Sequence, residues 1–238
     1  MEPKTMVVFS GAGLSAESGI PTFRDSNGLW ENHKVEDVAH PKGWEDNKEL
    51  VLNFYKQRFI GVSETEPNDA HKAIADMQDR YNVVNFTQNI DDLLERAGCT
   101  DVRHMHGSLF RKKCEFHKNT GDCAAHCDYV EECTEPVKLG DKCPKCEGQI
   151  RPDVVWFTEA VQYELEDIIA FCKEVKYNNG VFICVGTSGE VHPAASLISF
   201  FSQVKNKYIV DLKPRKIGDY ELIEGLATTG MRQLEKQL

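Results

Sequence analysis

Four short apolar runs, with segments of a different periodicity between them, place the strongest constraint on how this chain folds. They have the length and β-branched content of buried parallel strands, and they cover residues 6–9, 83–86, 181–185 and 208–210. Apolar positions three or four residues apart predict helices over residues 69–81, 163–176 and 193–204. Strands that alternate with helices are typical of an α/β fold with a parallel sheet.

Two segments interrupt this alternation. Residues 30–61 read as helical and polar, whereas residues 111–151 are rich in Cys, Gly, Lys and Asp and poor in large aliphatic side chains. The second segment cannot build a core alone. We therefore predict that the two segments form a small second domain over the sheet, and that the main α/β domain comprises residues 1–29, 62–110 and 152–238.

The overall composition excludes several classes of protein. The 238 residues include 28 Lys and Arg against 38 Asp and Glu, for a formal charge of −10. A nucleic-acid-binding module would normally present a basic face. The nine cysteines are an odd number, no apolar run approaches the length of about 18 residues that spans a membrane, and no signal-like apolar region follows the N-terminus. We expect a cytoplasmic monomer with reduced thiols and no membrane contact.

Glycine-containing and polar clusters follow the predicted strands. Gly11 and Gly13 come directly after the first strand, where glycine lets the backbone approach a pyrophosphate and a following helix offers its N–H groups. Glycines at this spacing also occur in purely structural turns, so alone they do not establish nucleotide binding. Further clusters stand at the expected carboxyl ends of later strands, where open α/β sheets bind ligands, at residues 87–91, 104–107 and 186–188.

Taken with the run from Gly11 to Arg24, these clusters resemble the sirtuin family of NAD-dependent protein-lysine deacylases over nearly the whole chain. The resemblance implies a Rossmann-like NAD-binding domain, with NAD as co-substrate. Asn89 and Asp91 would hold the nicotinamide carboxamide, since an amide and a carboxylate suit that group; the alternative is that they cap the helix at Leu93. The resemblance implies further cofactor contacts from Gly11, Ala12, Gly13, Ser15, Ala16, Ile20, Phe23, Arg24, Gln88, Ile90, Gly186, Thr187 and Ser188.

The adenosine end of the cofactor site is implied by residues near the C-terminus. Asp211 stands where the family commonly has Asn bonded to the adenosine ribose, and Leu212 follows it. A carboxylate accepts from a ribose 2′-hydroxyl and repels a 2′-phosphate, so Asp211 favours NAD over NADP. Ala227 resembles the backbone contact to adenine.

His106 resembles the family's general base, and Asn89 is the other residue that the resemblance assigns to catalysis. An imidazole has an ordinary pKa near 6.5, so its neutral form is available at physiological pH. In the implied mechanism the acyl-lysine oxygen attacks the nicotinamide ribose and expels nicotinamide. His106 then activates the 3′-hydroxyl, which relays to the 2′-hydroxyl as the acyl group moves onto ADP-ribose. His104 is the neighbouring alternative, whereas surface or supporting roles suit His33, His40, His71 and His192.

Three residues resemble the family's peptide cleft. Val191 matches the strand that pairs with the substrate backbone, a β-augmentation mode of recognition. Val155 and Phe157 match the opposite wall and the acyl-lysine tunnel, although ordinary core packing is the alternative for Phe157 and for Trp156. The chain departs from the family at Thr158, where glycine is usual, and this departure bears on the local turn and the entry of the peptide.

Tyr55 and Arg58 predict the class of acyl group. They are three residues apart and so share one helix face, and a guanidinium beside a phenol can bind a carboxylate through charge-assisted hydrogen bonds. The pair resembles the Tyr-x-x-Arg signature of sirtuins that remove succinyl, malonyl or glutaryl groups, and Ala39 resembles a small residue of their pocket. The alternative is a solvated helix face on which Arg58 pairs with Glu49 or another acid. We expect a desuccinylase or demalonylase with some deacetylase activity.

Six of the nine cysteines lie within residues 114–146 and suggest a metal site. Cys143 and Cys146 have the spacing of a zinc knuckle, and the family places a structural zinc at such a hairpin. Cys114 and His117 stand where the partner knuckle is expected, so the predicted ligands are Cys114, His117, Cys143 and Cys146. The alternatives are that Cys127 or Cys133 supplies the fourth ligand, or that no metal binds. Four protein ligands leave no open position, so the zinc would be structural.

Two other functions stay open at this point. One is a protein ADP-ribosyltransferase, which would leave ADP-ribose covalently attached to the acceptor. The other is an NAD-sensing binding module that docks a partner through the cysteine-rich segment. The acyl-lysine deacylase predicts acyl-ADP-ribose as its product instead.

Overall fold

The computed structural model describes residues 3–22, 29–30, 33–118, 126–162, 165–187 and 194–238. In chain order its strands are β1 (Lys4–Ser10), β2 (Leu29–Trp30), β3 (His33–Lys34), β4 (Tyr81–Thr87), β5 (Val102–His104), β6 (Gly107–Cys114), β7 (Val130–Glu132), β8 (Ile150–Val154), β9 (Val181–Val185), β10 (Asn206–Asp211) and β11 (Glu221–Glu224). Its α-helices are α1 (Val35–Val38), α2 (Pro41–Asp46), α3 (Lys48–Ser63), α4 (Asp69–Asp76), α5 (Leu93–Arg96), α6 (Leu165–Tyr177), α7 (Ala194–Phe200) and α8 (Ala227–Gln237).

A six-stranded parallel sheet has the order β11-β10-β9-β1-β4-β5. The chain extends from β1 through β4 to β5 at one edge, and then returns to β9 on the other side of β1. This reversal beside β1 is the switch point at which ligands bind in open α/β sheets. The predicted α/β class is confirmed, and the four apolar runs coincide with the four inner strands, β10, β9, β1 and β4.

Helices cover both faces of this sheet. Side chains of α4 and α8 contribute to one apolar core cluster, and side chains of α6 and α7 contribute to another across the sheet. The helix predicted over residues 69–81 is shorter than expected, because α4 gives way to a 3-10 turn at Met77–Asp79 and Tyr81 already begins β4. The predicted starts at residues 163 and 193 lie outside the described residues. Within the described part of the chain, no helix is long and apolar enough to span a membrane.

The two excursions share a third core. The helices α1 to α3 come from one excursion, and the three-stranded antiparallel sheet β7-β6-β8 comes from the other. Val51 and Phe54 of the helical segment belong to the same buried cluster as Val137 and Ile150 of the cysteine-rich segment. The cysteine-rich segment therefore completes its core with side chains of the helical segment, as its shortage of large aliphatic residues requires.

Candidate active site

The candidate site forms where the carboxyl ends of the inner strands meet. Gln88, just past β4, donates its backbone N–H to Ser10 O at 2.9 Å, and Gly11 donates to Val185 O at 3.0 Å. Gly186, just past β9, donates to Val210 O at 3.0 Å. These bonds bring the three predicted polar clusters that follow β1, β4 and β9 to one edge of the sheet.

The glycines of the first turn have a packing role, the structural alternative considered from the sequence. A Cβ built on Gly13 would lie 2.6 Å from the Cα of Gly186, and one built on Gly11 would lie 2.7 Å from Thr187 Cβ. Gly13 also donates its N–H to Gly186 O at 2.9 Å. The glycines thus allow two sheet turns to pack directly against each other. The expected α-helix after the turn is absent from the described residues, where two 3-10 turns stand instead, at Ala12–Leu14 and Ala16–Ser18.

A buried hydrogen-bond network centred on Ser15 lies beneath this turn. Ser15 Oγ donates to Asp91 Oδ2 at 3.0 Å, and it accepts from Asn89 Nδ2 at 3.1 Å. The ring of His71 lies 3.3 Å from the same oxygen through Nε2. Because His71 Nδ1 accepts the backbone N–H of Asn68, Nε2 carries the proton and donates to Ser15. Burial lowers the pKa of His71 to about 4, so the ring stays neutral.

Asp91 has the helix-capping contact that was the alternative considered from the sequence, and a second contact with Ser15. Its Oδ1 accepts the backbone N–H of Leu93 at 3.2 Å at the start of α5, while its Oδ2 accepts from Ser15. Burial raises the pKa of this carboxyl, against the opposing effect of those hydrogen bonds. Asn89 lies beside it and directs its amide into the Ser15 network. The Ser15 hydroxyl thus links one amide and one carboxyl near the carboxyl end of β4; their contact with nicotinamide stays a prediction.

His106 has the tautomer that a general base requires. Its Nδ1 lies 3.0 Å from Gln88 O, and a carbonyl oxygen can only accept, so Nδ1 carries the proton and Nε2 keeps its lone pair. Burial lowers the pKa of His106, only partly opposed by that hydrogen bond, which favours the neutral ring. The next residue must be glycine, because Gly107 has a φ of +76° and a Cβ there would lie 1.9 Å from Asp153 O.

His104 is in a different electrostatic state. Its Nδ1 donates to Asn89 O at 2.9 Å, and its Nε2 lies 2.7 Å from Glu95 Oε1. Burial acts to lower the pKa of His104, but the hydrogen bond and charge of Glu95 outweigh it and raise the pKa. With an acceptor at each nitrogen, His104 is suited to hold the loop rather than to accept a proton.

The residues predicted for the adenosine end lie at the far side of the sheet. Asp211 ends β10, and its backbone oxygen accepts from Gly225 N at 3.0 Å, which brings the chain before α8 alongside it. Ala227 begins α8 and is buried, whereas Leu212 is exposed. The carboxylate of Asp211 accepts the N–H of Lys213 at 3.0 Å.

Tyr55 and Arg58 lie inside the small domain on α3. Tyr55 is 1% exposed, and its hydroxyl oxygen accepts from Trp156 Nε1 at 3.1 Å. Arg58 is 8% exposed, with its guanidinium 5.7 Å from the centre of the Phe54 ring. The reading of Arg58 as part of a solvated helix face is therefore wrong, since α3 turns this face toward the shared core.

Backbone hydrogen bonds join the predicted cleft to His106 and to Ala39, the residues predicted for the general base and the acyl pocket. Val155 donates its N–H to His106 O at 2.9 Å, and Phe157 donates to Ala39 O at 2.9 Å. Phe157 is 47% exposed, so it is not ordinary core, whereas Trp156 is buried. Thr158 follows with a φ of +77°, so threonine here adopts the left-handed conformation for which glycine is favoured.

Four cysteines form a cluster suited to zinc. The sulfurs of Cys114, Cys127, Cys143 and Cys146 all lie within 4.8 Å of one another, with Cys114 and Cys146 at 3.3 Å and Cys127 and Cys143 at 3.6 Å. A tetrahedral zinc with Zn–S bonds of about 2.3 Å places its sulfurs roughly 3.8 Å apart, so the four thiols fit the metal with a modest expansion.

The predicted ligand His117 is replaced in this cluster by Cys127, the alternative considered from the sequence. The backbones of His117 and Cys127 pair as a β-bridge, which places Cys127 beside the segment of Cys114 and His117 and brings its sulfur into the group. The other alternative, Cys133, lies elsewhere, with its sulfur 3.8 Å from Leu109 O.

Comparison with known proteins decides the family. The model of the Sir2 family matches residues 11–193. The chain belongs to the Sir2 family. This Sir2-family chain is 42% identical over 212 residues to an NAD-dependent protein deacylase of Helicobacter pylori, covering 89% of this chain and 86% of the relative. It is 40% identical over 215 residues to a protein of the same description from Bacteroides thetaiotaomicron, with the same two shares.

Solved structures support the fold of this Sir2-family chain. It matches the crystal structure of a Sir2 homologue in complex with NAD with a TM-score of 0.81 and 36% identity, over 99% of this chain and 90% of the other. The donor set at the switch point fits NAD: neutral His106, the Asn89 and Asp91 pair, and the turn at Gly11. Four of the predicted site residues, Phe23, Arg24, Ser188 and Val191, lie outside the described residues.

Two residues of this Sir2-family site have contacts that the sequence did not predict. His71 is wholly buried and donates to Ser15, so of the surface and supporting roles considered from the sequence it has the supporting one. For Trp156 ordinary core packing was the alternative to a place in the cleft wall. Its indole N–H donates to the hydroxyl of Tyr55, which is 101 positions away in the sequence. A buried polar partner at such a distance leaves no local spacing signal, so only the folded structure identifies it.

Proposed function

We propose that this protein is an NAD-dependent protein-lysine deacylase that prefers acyl groups ending in a carboxylate, such as succinyl and malonyl, and retains some deacetylase activity. The activity without the acyl preference is that named for its relatives. The preference is supported chiefly by one observation, the burial of the Arg58 guanidinium beside Tyr55 within the small domain.

Within this reaction each described residue has a chemical task. NAD supplies the ribosyl carbon and the nicotinamide leaving group. His106 Nε2 accepts a proton from a ribose hydroxyl, because its Nδ1 proton is already committed to Gln88 O. Asn89 and Asp91, oriented through Ser15, present an amide and a carboxyl that complement a carboxamide. The zinc held by the four cysteines would stabilise the small domain.

The acyl preference follows from charge and burial. The Arg58 guanidinium is shielded from water, and hydrogen bonds to a charged partner are stronger in such surroundings. The phenol of Tyr55 has its pKa raised by burial, so it is a neutral hydroxyl at any working pH and can donate to a carboxylate. Ala39, on the neighbouring turn, contributes a small side chain and holds the backbone of Phe157.

Steady-state kinetics with paired peptides test this proposal. Arg58→Met should lower kcat/KM for a succinyl-lysine peptide about 10- to 100-fold relative to the acetyl-lysine peptide, the range expected for a lost charge-assisted bond. Lys56→Met is the matched control, since it removes a positive charge from the exposed side of the same helix. Equal losses on both peptides, or no loss on the succinyl peptide, would exclude the carboxylate role of Arg58.

Mass spectrometry of the products tests the reaction class. The deacylase should release acyl-ADP-ribose and leave a free lysine on the peptide. An ADP-ribose adduct on the acceptor would instead support the transferase alternative.

A further inference from the structure

Trp156 lies in the core, yet both its backbone N–H and its indole N–H form hydrogen bonds with side chains. It is 3% exposed and belongs to the core shared by the two excursions. Its backbone N–H donates to Glu159 Oε2 at 2.9 Å, and its indole N–H donates to the hydroxyl of Tyr55 at 3.1 Å. An indole has one donor and no acceptor, so this second bond is the only hydrogen bond its ring can make.

A buried ion pair fixes the plane of this ring. The guanidinium of Arg151 lies 3.6 Å from the centre of the Trp156 ring, a cation–π contact, and Arg151 also forms an ion pair with Glu159. Both charged side chains are at most 2% exposed. Glu159 thus holds the backbone of Trp156 with one oxygen and the cation over its ring with the other. Moving the ring would break contacts with a buried charge, which is costly.

The fixed ring in turn constrains Tyr55. Because Trp156 Nε1 donates to the Tyr55 oxygen, one acceptor position of that hydroxyl is occupied and its O–H bond can take fewer directions. Arg58 lies one helical turn further along α3, near enough for its charge to act on the Tyr55 phenol. A ligand carboxylate that contacts Arg58 therefore meets a hydroxyl whose direction has been set in advance, which lowers the entropic cost of binding.

We propose that Trp156, clamped by the buried Arg151 and Glu159 pair, is a positioning residue for Tyr55 and thereby a determinant of selectivity for acidic acyl groups. This inference rests on the proposed function. It assigns to Trp156 an effect that passes through the Tyr55 hydroxyl and involves no contact of its own with the substrate.

A double-mutant cycle tests this assignment. Trp156→Phe keeps an aromatic ring but removes the indole N–H, and it should lower the succinyl-to-acetyl ratio of kcat/KM about tenfold. The change should appear mainly in the KM of the succinyl peptide, with the KM of NAD unmoved, because loss of a binding contact raises KM. In the Tyr55→Phe background the same substitution should have no further effect on the ratio. Independent, multiplicative effects of the two changes would overturn the proposal.

Two controls separate positioning from simple packing. Trp44→Phe removes the neighbouring indole N–H, which donates to Glu115 instead, and should leave the selectivity ratio unchanged. If Trp156→Phe fails to fold, benzothienylalanine at position 156 replaces the N–H by sulfur at nearly constant shape. An unchanged ratio with that residue would overturn the proposal, and a tenfold fall would support it.

The Arg58→Met variant distinguishes failure of this inference from failure of the proposed function. If Arg58→Met lowers the ratio and Trp156→Phe does not, the positioning role is wrong and the acyl preference stands. If neither substitution lowers the ratio, both the acyl preference and the positioning role fall.

Discussion

Replacing Thr158 by glycine should stabilise the protein. Thr158 occupies the third position of a turn in which Glu159 N donates to Trp156 O at 3.0 Å, and its φ is +77°. A type II turn requires a positive φ at this position, for which glycine is the usual residue. Threonine is β-branched, so its side chain crowds the backbone in this conformation.

The magnitude follows from two opposing contributions. An L-residue in the left-handed conformation costs about 1–2 kcal/mol, while glycine adds about 0.5–1 kcal/mol of unfolded-chain entropy. Thr158 is exposed, so little packing is lost when its side chain is removed. The net gain is about 0.5–1 kcal/mol, which raises the Tm by about 1–4 °C in a chain of this length.

Differential scanning calorimetry at a fixed zinc concentration measures this change. Asn179→Gly is the matched control, because Asn179 is exposed and has a φ of 55°, but asparagine tolerates that conformation. Thr158→Ala keeps the Cβ and should gain less than Thr158→Gly. A lower Tm for Thr158→Gly, or the same shift in both glycine variants, would refute the argument from backbone strain.

Three further predictions concern the site and the metal. Because burial lowers the pKa of His106, its basic form persists below the ordinary value, so the acid limb of kcat/KM should have its midpoint below pH 6.5; a midpoint above 6.5 would contradict this. Cys127→Ser should lose bound zinc by elemental analysis and melt at a lower temperature, whereas His117→Ala should keep the metal; the reverse pattern would restore the histidine as ligand. Ser15→Ala removes a hydrogen-bond partner from three buried side chains, so it should lower the free energy of unfolding in urea by at least about 1–3 kcal/mol and raise the KM of NAD. Wild-type values for both quantities would contradict the network.

The fold was predictable where burial is complete. The four inner strands are shielded on both faces, so their sequences are near-continuous apolar runs, interrupted in β4 by the buried Asn85. The outer strands were missed because they are short and carry polar side chains, as in Val102–His104 and Glu221–Glu224. An edge strand pairs on one side only and is less buried, so its sequence need not be apolar and carries little signal of the strand.

The sequence identified candidate site residues that lie close together along the chain. It did not identify contacts between segments that are distant in sequence. Asn89 and Asp91 are two positions apart in the sequence, and both form hydrogen bonds with Ser15. Gly11 and Gly13 were selected for an approach to a pyrophosphate, whereas the constraint that the structure shows comes from Gly186, more than 170 positions away. Spacing alone also favoured His117 over Cys127, because Cys114 and His117 have the Cys-x-x-His spacing of a zinc knuckle, whereas the β-bridge that places Cys127 beside His117 is a tertiary contact.

The core shared by the two excursions limits how the proposed acyl selectivity can be transferred between proteins. Tyr55 sits in the same buried cluster as the cysteines of the candidate zinc site, and Trp156 joins them. Glu115, next to Cys114, accepts from Trp44 and so connects the knuckle to the helical segment. Introducing only Tyr55 and Arg58 into another deacylase would therefore transfer the pair without the core residues that hold it, such as Trp156. A chimera designed to change acyl class should exchange both excursions together with the segment that follows the second one, which carries Trp156 and Glu159.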